Sequence, residues 1–154
     1  MIPLIGLPLC FAPAQAKVEF RWFTAGGMQG TVVAGVQNEG GSYFRIMCVT
    51  GTAPQKPVLQ YDPKRGGLAK SEAIQVIVGE EAFHFQVDAQ GLAELDARGN
   101  RTEFARLTNK LAGSREAAFM VEVPRTNVSE RFTLKDGRKA LGPPGKTLIE
   151  GCDL

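Results

Sequence analysis

Cys48 closes a stretch, residues 42–49 (Ser-Tyr-Phe-Arg-Ile-Met-Cys-Val), that alternates like a strand. Phe44, Ile46 and Cys48 fall on one face of it, and Tyr43, Arg45 and Met47 on the other. The distant mate for Cys48 is Cys152, two residues before the end of the sequence. If the two are joined, any fold must bring the tail of the chain onto an early inner strand. On the chain-entropy account, closing a loop of about a hundred residues stabilises by roughly 4–5 kcal/mol. The alternative is a pair of free, buried thiols.

The third cysteine, Cys10, belongs to a different kind of segment. Residues 1–16 carry no charge, hold an apolar run, and end in Ala14-Gln15-Ala16, a small-x-small pattern like a signal-peptidase site. The run is too short to span a bilayer. A positive n-region is missing, so the leader is expected to be incomplete at its start. Removing residues 1–16 leaves 17–154 as one domain with an even pair of cysteines, which in an exported chain points to a disulfide. The net charge of +2 is spread among acids and gives no basic face for nucleic acid.

The rest of the chain is dominated by period-two patterns. Residues 18–24 place Val18, Phe20 and Trp22 on one face, with a turn expected at Ala25-Gly26-Gly27. Residues 31–36 are β-branched and interrupted by glycine, and suit a strand that bends or bulges. Residues 58–61 resemble a short edge strand, and 64–70 a polar surface loop. The clearest hairpin pairs 73–79 (Ile74, Val76, Val78 inward) with 82–88 (Phe83, Phe85, Val87 inward). Residues 91–95 would extend it as a third strand of a meander. The period then changes. Asn100 and Glu103 have capping-box spacing, and Phe104, Leu107 and Leu111 follow on one face, which predicts a helix over 101–112 ended by Gly113. Residues 117–123 and 129–134 return to strand, with Phe119, Val121, Val123, Phe132 and Leu134 inward. Pro144 can open a last helical turn. Many short strands with one or two short helices predict a mainly β protein, an antiparallel β-sandwich or barrel.

The chemistry of a catalytic site is sparse. His84, the one histidine, shares a face with Gln86 and Asp88 and is expected in solvent. No nucleophile–base arrangement accompanies it. Glu80, Glu81, Asp88, Glu94 and Asp96 could in principle form an acid–base pair, but their spacing is that of solvated hairpin ends. Two distant cysteines and one histidine supply no metal cluster, and no motif calls for a cofactor. Tyr43, Arg45 and Met47 form a contact patch if their face is open, since these residue types favour interfaces; otherwise a second sheet or the helix covers them. Lys135, Arg138, Lys139 and Lys146 make a loose basic patch near the end of the chain.

Arg131-Phe132-Thr133-Leu134-Lys135-Asp136-Gly137, then Ala140-Leu141 and Cys152, resembles the Phe-x-Leu…Ala-Leu…Cys tail of small exported bacterial proteins of the invasion-associated locus B type. That resemblance implies a periplasmic β-sandwich without a defined catalytic site, and carries over only the cysteines. The function expected is therefore non-enzymatic: a periplasmic or secreted binding or structural protein, such as an inhibitor, an immunity protein or an envelope-associated factor. Its partner would be a protein or envelope component. The competing expectation is a small hydrolase using surface carboxylates or His84.

Overall fold

The computed structural model describes residues 18–26, 31–49, 56–94, 98–150 and 152. The leader expected at residues 1–16 lies outside them. Among the described residues nine strands run in chain order: β1 (Phe23–Gly26), β2 (Val32–Gln37), β3 (Tyr43–Val49), β4 (Lys56–Asp62), β5 (Glu72–Val78), β6 (Glu81–Val87), β7 (Leu92–Glu94), β8 (Ala118–Val123) and β9 (Val128–Thr133). Helix α1 (Arg98–Gly113) stands between β7 and β8, and α2 (Gly137–Leu141) follows β9. The strands form two antiparallel sheets, ordered β1-β2-β3-β4-β7 and β6-β5-β8-β9. The protein is a mainly β, sandwich-like fold.

The inward rows of the two sheets make the core by alternation. Ala34, Val36, Phe44, Ile46, Leu59 and Tyr61 meet Ile74, Val76, Val78, Phe119, Val121 and Phe132, all buried. Aromatic rings occupy its centre. Phe44 meets Phe119 edge-on at 5.1 Å, and Phe119 stacks on Phe132 at 5.4 Å. Each such ring withdraws enough apolar surface to stabilise by roughly 2–3 kcal/mol. Helix α1 buries Phe104, Leu107 and Leu111 along one stripe, with Phe104 edge-on to Phe85 at 6.4 Å.

Several local expectations change in three dimensions. The strand foreseen over 18–24 pairs only from Phe23, and it runs on through Ala25 and Gly26, where a turn was expected. Val18 is exposed, while Trp22 reaches into the core and donates its indole N–H to Thr133 O at 2.9 Å. The chain before β1 thus lies against β9 rather than β2. β2 has no bulge, because its register with β3 is continuous. Gly35 serves instead to admit the Phe23 ring: a Cβ there would stand 2.8 Å from Phe23 Cζ.

β4 is an inner strand between β3 and β7, not an edge. β7 does not extend the β5–β6 hairpin, because it crosses to the other sheet and pairs with β4. The crossing is set by a turn in which Asp88 Oδ1 accepts the N–H groups of Gln90 and Leu92, both at 2.9 Å. Gly91 there has φ +76°, and its carbonyl accepts Tyr61 N–H. A Cβ on Gly91 would fall 1.7 Å from Tyr61 O, so glycine alone fits this crossing.

Helix α1 begins at Arg98, so Asn100 lies within it rather than capping it. Glu103 accepts from Arg106 Nη1 at 2.8 Å, a pairing one turn along the helix. The segment after Pro143 is not helical. Successive turns (Lys146 N to Pro143 O, Glu150 N to Thr147 O, Cys152 N to Ile149 O) carry Cys152 back to β3.

Candidate functional site

The covalent tie is present. Cys48 and Cys152 are bonded with their Cα atoms 5.4 Å apart, spanning a sequence separation of 104 residues. Both are buried. Cys48 lies on the inward face of β3, as its parity with Phe44 and Ile46 requires.

On the opposite face of β3, Tyr43, Arg45 and Met47 stay half-exposed, as do Val58 and Gln60 of β4 beside them. The Arg45 guanidinium lies 4.4 Å from the centre of the Tyr43 ring and donates to Gln60 Oε1 at 2.9 Å. A carboxylate oxygen of Asp62 is 3.9 Å away. Phe23, 39% exposed, continues the face across Gly35. The result is a fixed, partly apolar surface with one cation seated on an aromatic ring.

A second constellation bridges the sheets. Glu130 of β9 shares its parity with Phe132 and points inward. Its Oε1 accepts from Ser42 Oγ at 2.7 Å and from Asn38 Nδ2 at 3.3 Å, and its Oε2 accepts from Tyr61 Oη. Asn38 Oδ1 in turn accepts Ser42 N–H at 2.9 Å, and Ser42 Oγ accepts Lys64 N–H at 2.9 Å. Asn38, Ser42 and Tyr61 are all buried. Burial first, then the hydrogen bond to Glu130 and its negative charge, hold the Tyr61 phenol far above its usual pKa. Tyr61 is thus locked as a donor, and three donors already engage the Glu130 carboxylate. Such a group fixes geometry; it is poorly placed to take a proton from a substrate. A cavity of about 350 Å³ opens beside it, with Phe20, Glu39 and Arg131 among its walls.

Glu72 is a second inward carboxylate, 1% exposed. Arg125 Nε lies 3.1 and 2.9 Å from its two oxygens, and Ala69 N–H donates to it at 3.3 Å. Neither Glu72 nor Glu130 stood out in the sequence. The available signal was parity, since both occupy inward positions of otherwise apolar strands.

His84 is exposed on β6, and among the described residues it has no hydrogen-bond partner. Glu81 is held by Lys110 Nζ at 2.7 Å, and that hydrogen bond lowers its pKa. Asp88 is taken up by its turn, and the side chains of Glu94 and Asp96 lie outside the described residues. The basic patch divides. Lys135 pairs with Glu19, whereas Arg138 and Lys139 join Arg115 along a groove between the ends of α1 and α2. Among the described residues no three His, Cys, Asp or Glu side chains gather as a metal site would need. No helix among them is long and apolar enough to cross a membrane.

No curated protein and no solved structure matches the chain. A family model, YfjT, does match, over residues 20–141. The matched stretch holds β1 to β9, α1 and α2, and it ends before Cys152. With most of its length covered in this way, the chain belongs to the YfjT family.

Proposed function

We propose that this protein is a non-enzymatic, exported binding module that presents the outer face of its five-stranded sheet to a protein or envelope component. The observation that carries this reading is the half-exposed row Tyr43, Arg45 and Met47, with Arg45 held over Tyr43 and against Gln60. Preorganised aromatic and guanidinium groups contribute to binding without a large ordering cost. The buried Cys48–Cys152 bond supports an oxidising compartment, the periplasm or outside the cell. The likeness of the tail to proteins of the invasion-associated locus B type agrees with that placement. Inhibitor, immunity and envelope-associated roles all belong to this class.

The alternative is a small hydrolase acting through His84 or surface carboxylates. It is disfavoured because His84 has no orienting partner among the described residues and Glu81 is committed to Lys110. A photo-reactive phenylalanine analogue in place of Tyr43 tests the choice in cells. A discrete cross-linked envelope product that disappears in Arg45→Ala is the expected result. Absence of any product, with turnover of an ester or glycan panel that is lost in His84→Ala, would reverse the assignment.

A further inference from the structure

β9 is the outermost strand of its sheet, and its free edge can be read residue by residue. Leu134 N–H donates to Ala117 O, which makes that couple a hydrogen-bonded pair of the β8–β9 register. By the alternation of an antiparallel ladder, Val128, Glu130 and Phe132 also turn their main-chain groups toward β8. Ser129, Arg131 and Thr133 therefore turn theirs outward. At one end the chain covers this edge itself: Lys135 O accepts Trp22 N–H at 3.0 Å, and Thr133 O accepts the Trp22 indole at 2.9 Å. Beyond Trp22, Phe20 lines the cavity beside this edge, and among the described residues the main-chain pairing to the edge goes no further. Among the described residues no group pairs with the outward N–H and C=O of Ser129 or Arg131.

Ser129 and Arg131 line the cavity of about 350 Å³ together with Asn38, Glu39 and Gly40 of the β2–β3 turn. At about 3.3 Å per residue a short extended segment fits there. We propose that the free edge of β9 at Ser129 and Arg131 is a strand-addition site for an extended, basic segment of a protein partner. The site is distinct from the Tyr43 face and does not depend on it. Main-chain pairing to Ser129 and Arg131 would give affinity, as in other edge-strand complexes. Basic character follows from the acids facing the slot. Glu39 is exposed with no partner among the described residues, and Glu130 Oε2 accepts only Tyr61. Arg131 also lines the slot, as one cation against the two acids, and it shares outward parity with Ser129, so its side chain leaves the strand on the face opposite Glu130. A second copy of this chain is a poor occupant, because antiparallel β9–β9 pairing through Ser129 and Arg131 sets Glu130 against Glu130.

The test uses the oxidised full-length chain and a synthetic heptapeptide, acetyl-Thr-Lys-Thr-Lys-Thr-Lys-Thr-amide. It is compared with its Glu-for-Lys counterpart and with two versions N-methylated on alternate amides. The Lys peptide is expected to shift the amide resonances of Ser129 and Arg131 and to bind more tightly than the Glu peptide. One methylation pattern removes the donors to both outward carbonyls and should lose about tenfold or more in affinity, and the other should lose little. Arg131→Pro removes an outward N–H without breaking the ladder to β8, so it should fold and lose binding by about tenfold or more. Equal binding by both methylated peptides, unchanged binding by a folded Arg131→Pro, no binding up to millimolar peptide, or Ser129 and Arg131 amides already protected from exchange in the free chain would overturn the proposal. If Arg131→Pro does not fold, the methylated pair decides on the wild-type protein alone.

Discussion

Tyr61 Oη, on an inner strand of one sheet, donates a hydrogen bond to Glu130 Oε2 on the edge strand of the other. The two residues are 69 positions apart in sequence, and the bond crosses the gap that the aromatic core otherwise fills. An inward carboxylate on an edge strand also discourages unspecific strand pairing there. The edge strand is thus tied to the opposite sheet.

Removing the Tyr61 donor should be costly. Tyr61→Phe leaves Glu130 with fewer donors, and a loss of roughly 1–3 kcal/mol is expected in urea titration. Wild-type stability should also depend on alkaline pH. Because the folded phenol titrates above its ordinary value near 10, its contribution is fully present below pH 10. It is lost as pH rises beyond 10, by at most about 1.4 kcal/mol per pH unit. Tyr61→Phe should flatten that part of the decline; an unchanged slope would mean that another group carries it.

The disulfide supports a second prediction. Cys48→Ser should lower stability by up to about 4–5 kcal/mol against the oxidised wild type, and by little against the reduced one. Paired urea titrations with and without reductant measure the difference. Equal midpoints for the mutant and the oxidised protein would show that the bond adds nothing.

Glu72 is buried, and its charge is answered chiefly by Arg125. Arg125→Ala should therefore destabilise by about 2 kcal/mol, less than for a fully buried pair because Arg125 is itself 58% exposed. Replacing both residues by Gln and Ala should recover part of the loss in a double-mutant cycle. Strict additivity would mean the two side chains are not coupled.

Gly91→Ala places a methyl group inside Tyr61 O and asks an L-residue to adopt φ +76°. The expected cost is about 3 kcal/mol or more, measured as a loss of the cooperative thermal transition or a large fall in Tm. A wild-type melting curve would refute the close approach.

Arg45→Ala should behave in the opposite way. Its partners Tyr43, Gln60 and Asp62 are all on a solvent-facing surface, so stability should change by less than about 1 kcal/mol. Cross-linking at position 43 should nonetheless fall sharply. A protein that melts early would mean that the face is structural rather than free for contact.

Local pattern sufficed wherever one face of a strand is buried. Ile74, Val76 and Val78 against Phe83, Phe85 and Val87 determined the hairpin, and Phe104, Leu107 and Leu111 determined the helix, because neighbours in sequence there share one environment. The pairing of Cys48 with Cys152 was equally legible, since few mates were available. Tertiary structure decided what depends on residues far apart in the chain. It moved β7 to the opposite sheet, laid Trp22 along β9, and drew Asn38, Ser42 and Tyr61 around Glu130. The physical reason is that a strand's alternation fixes which side chains point inward but not which strand lies beside it. That choice is made by long-range packing and hydrogen bonding, whose energies no local window of sequence contains.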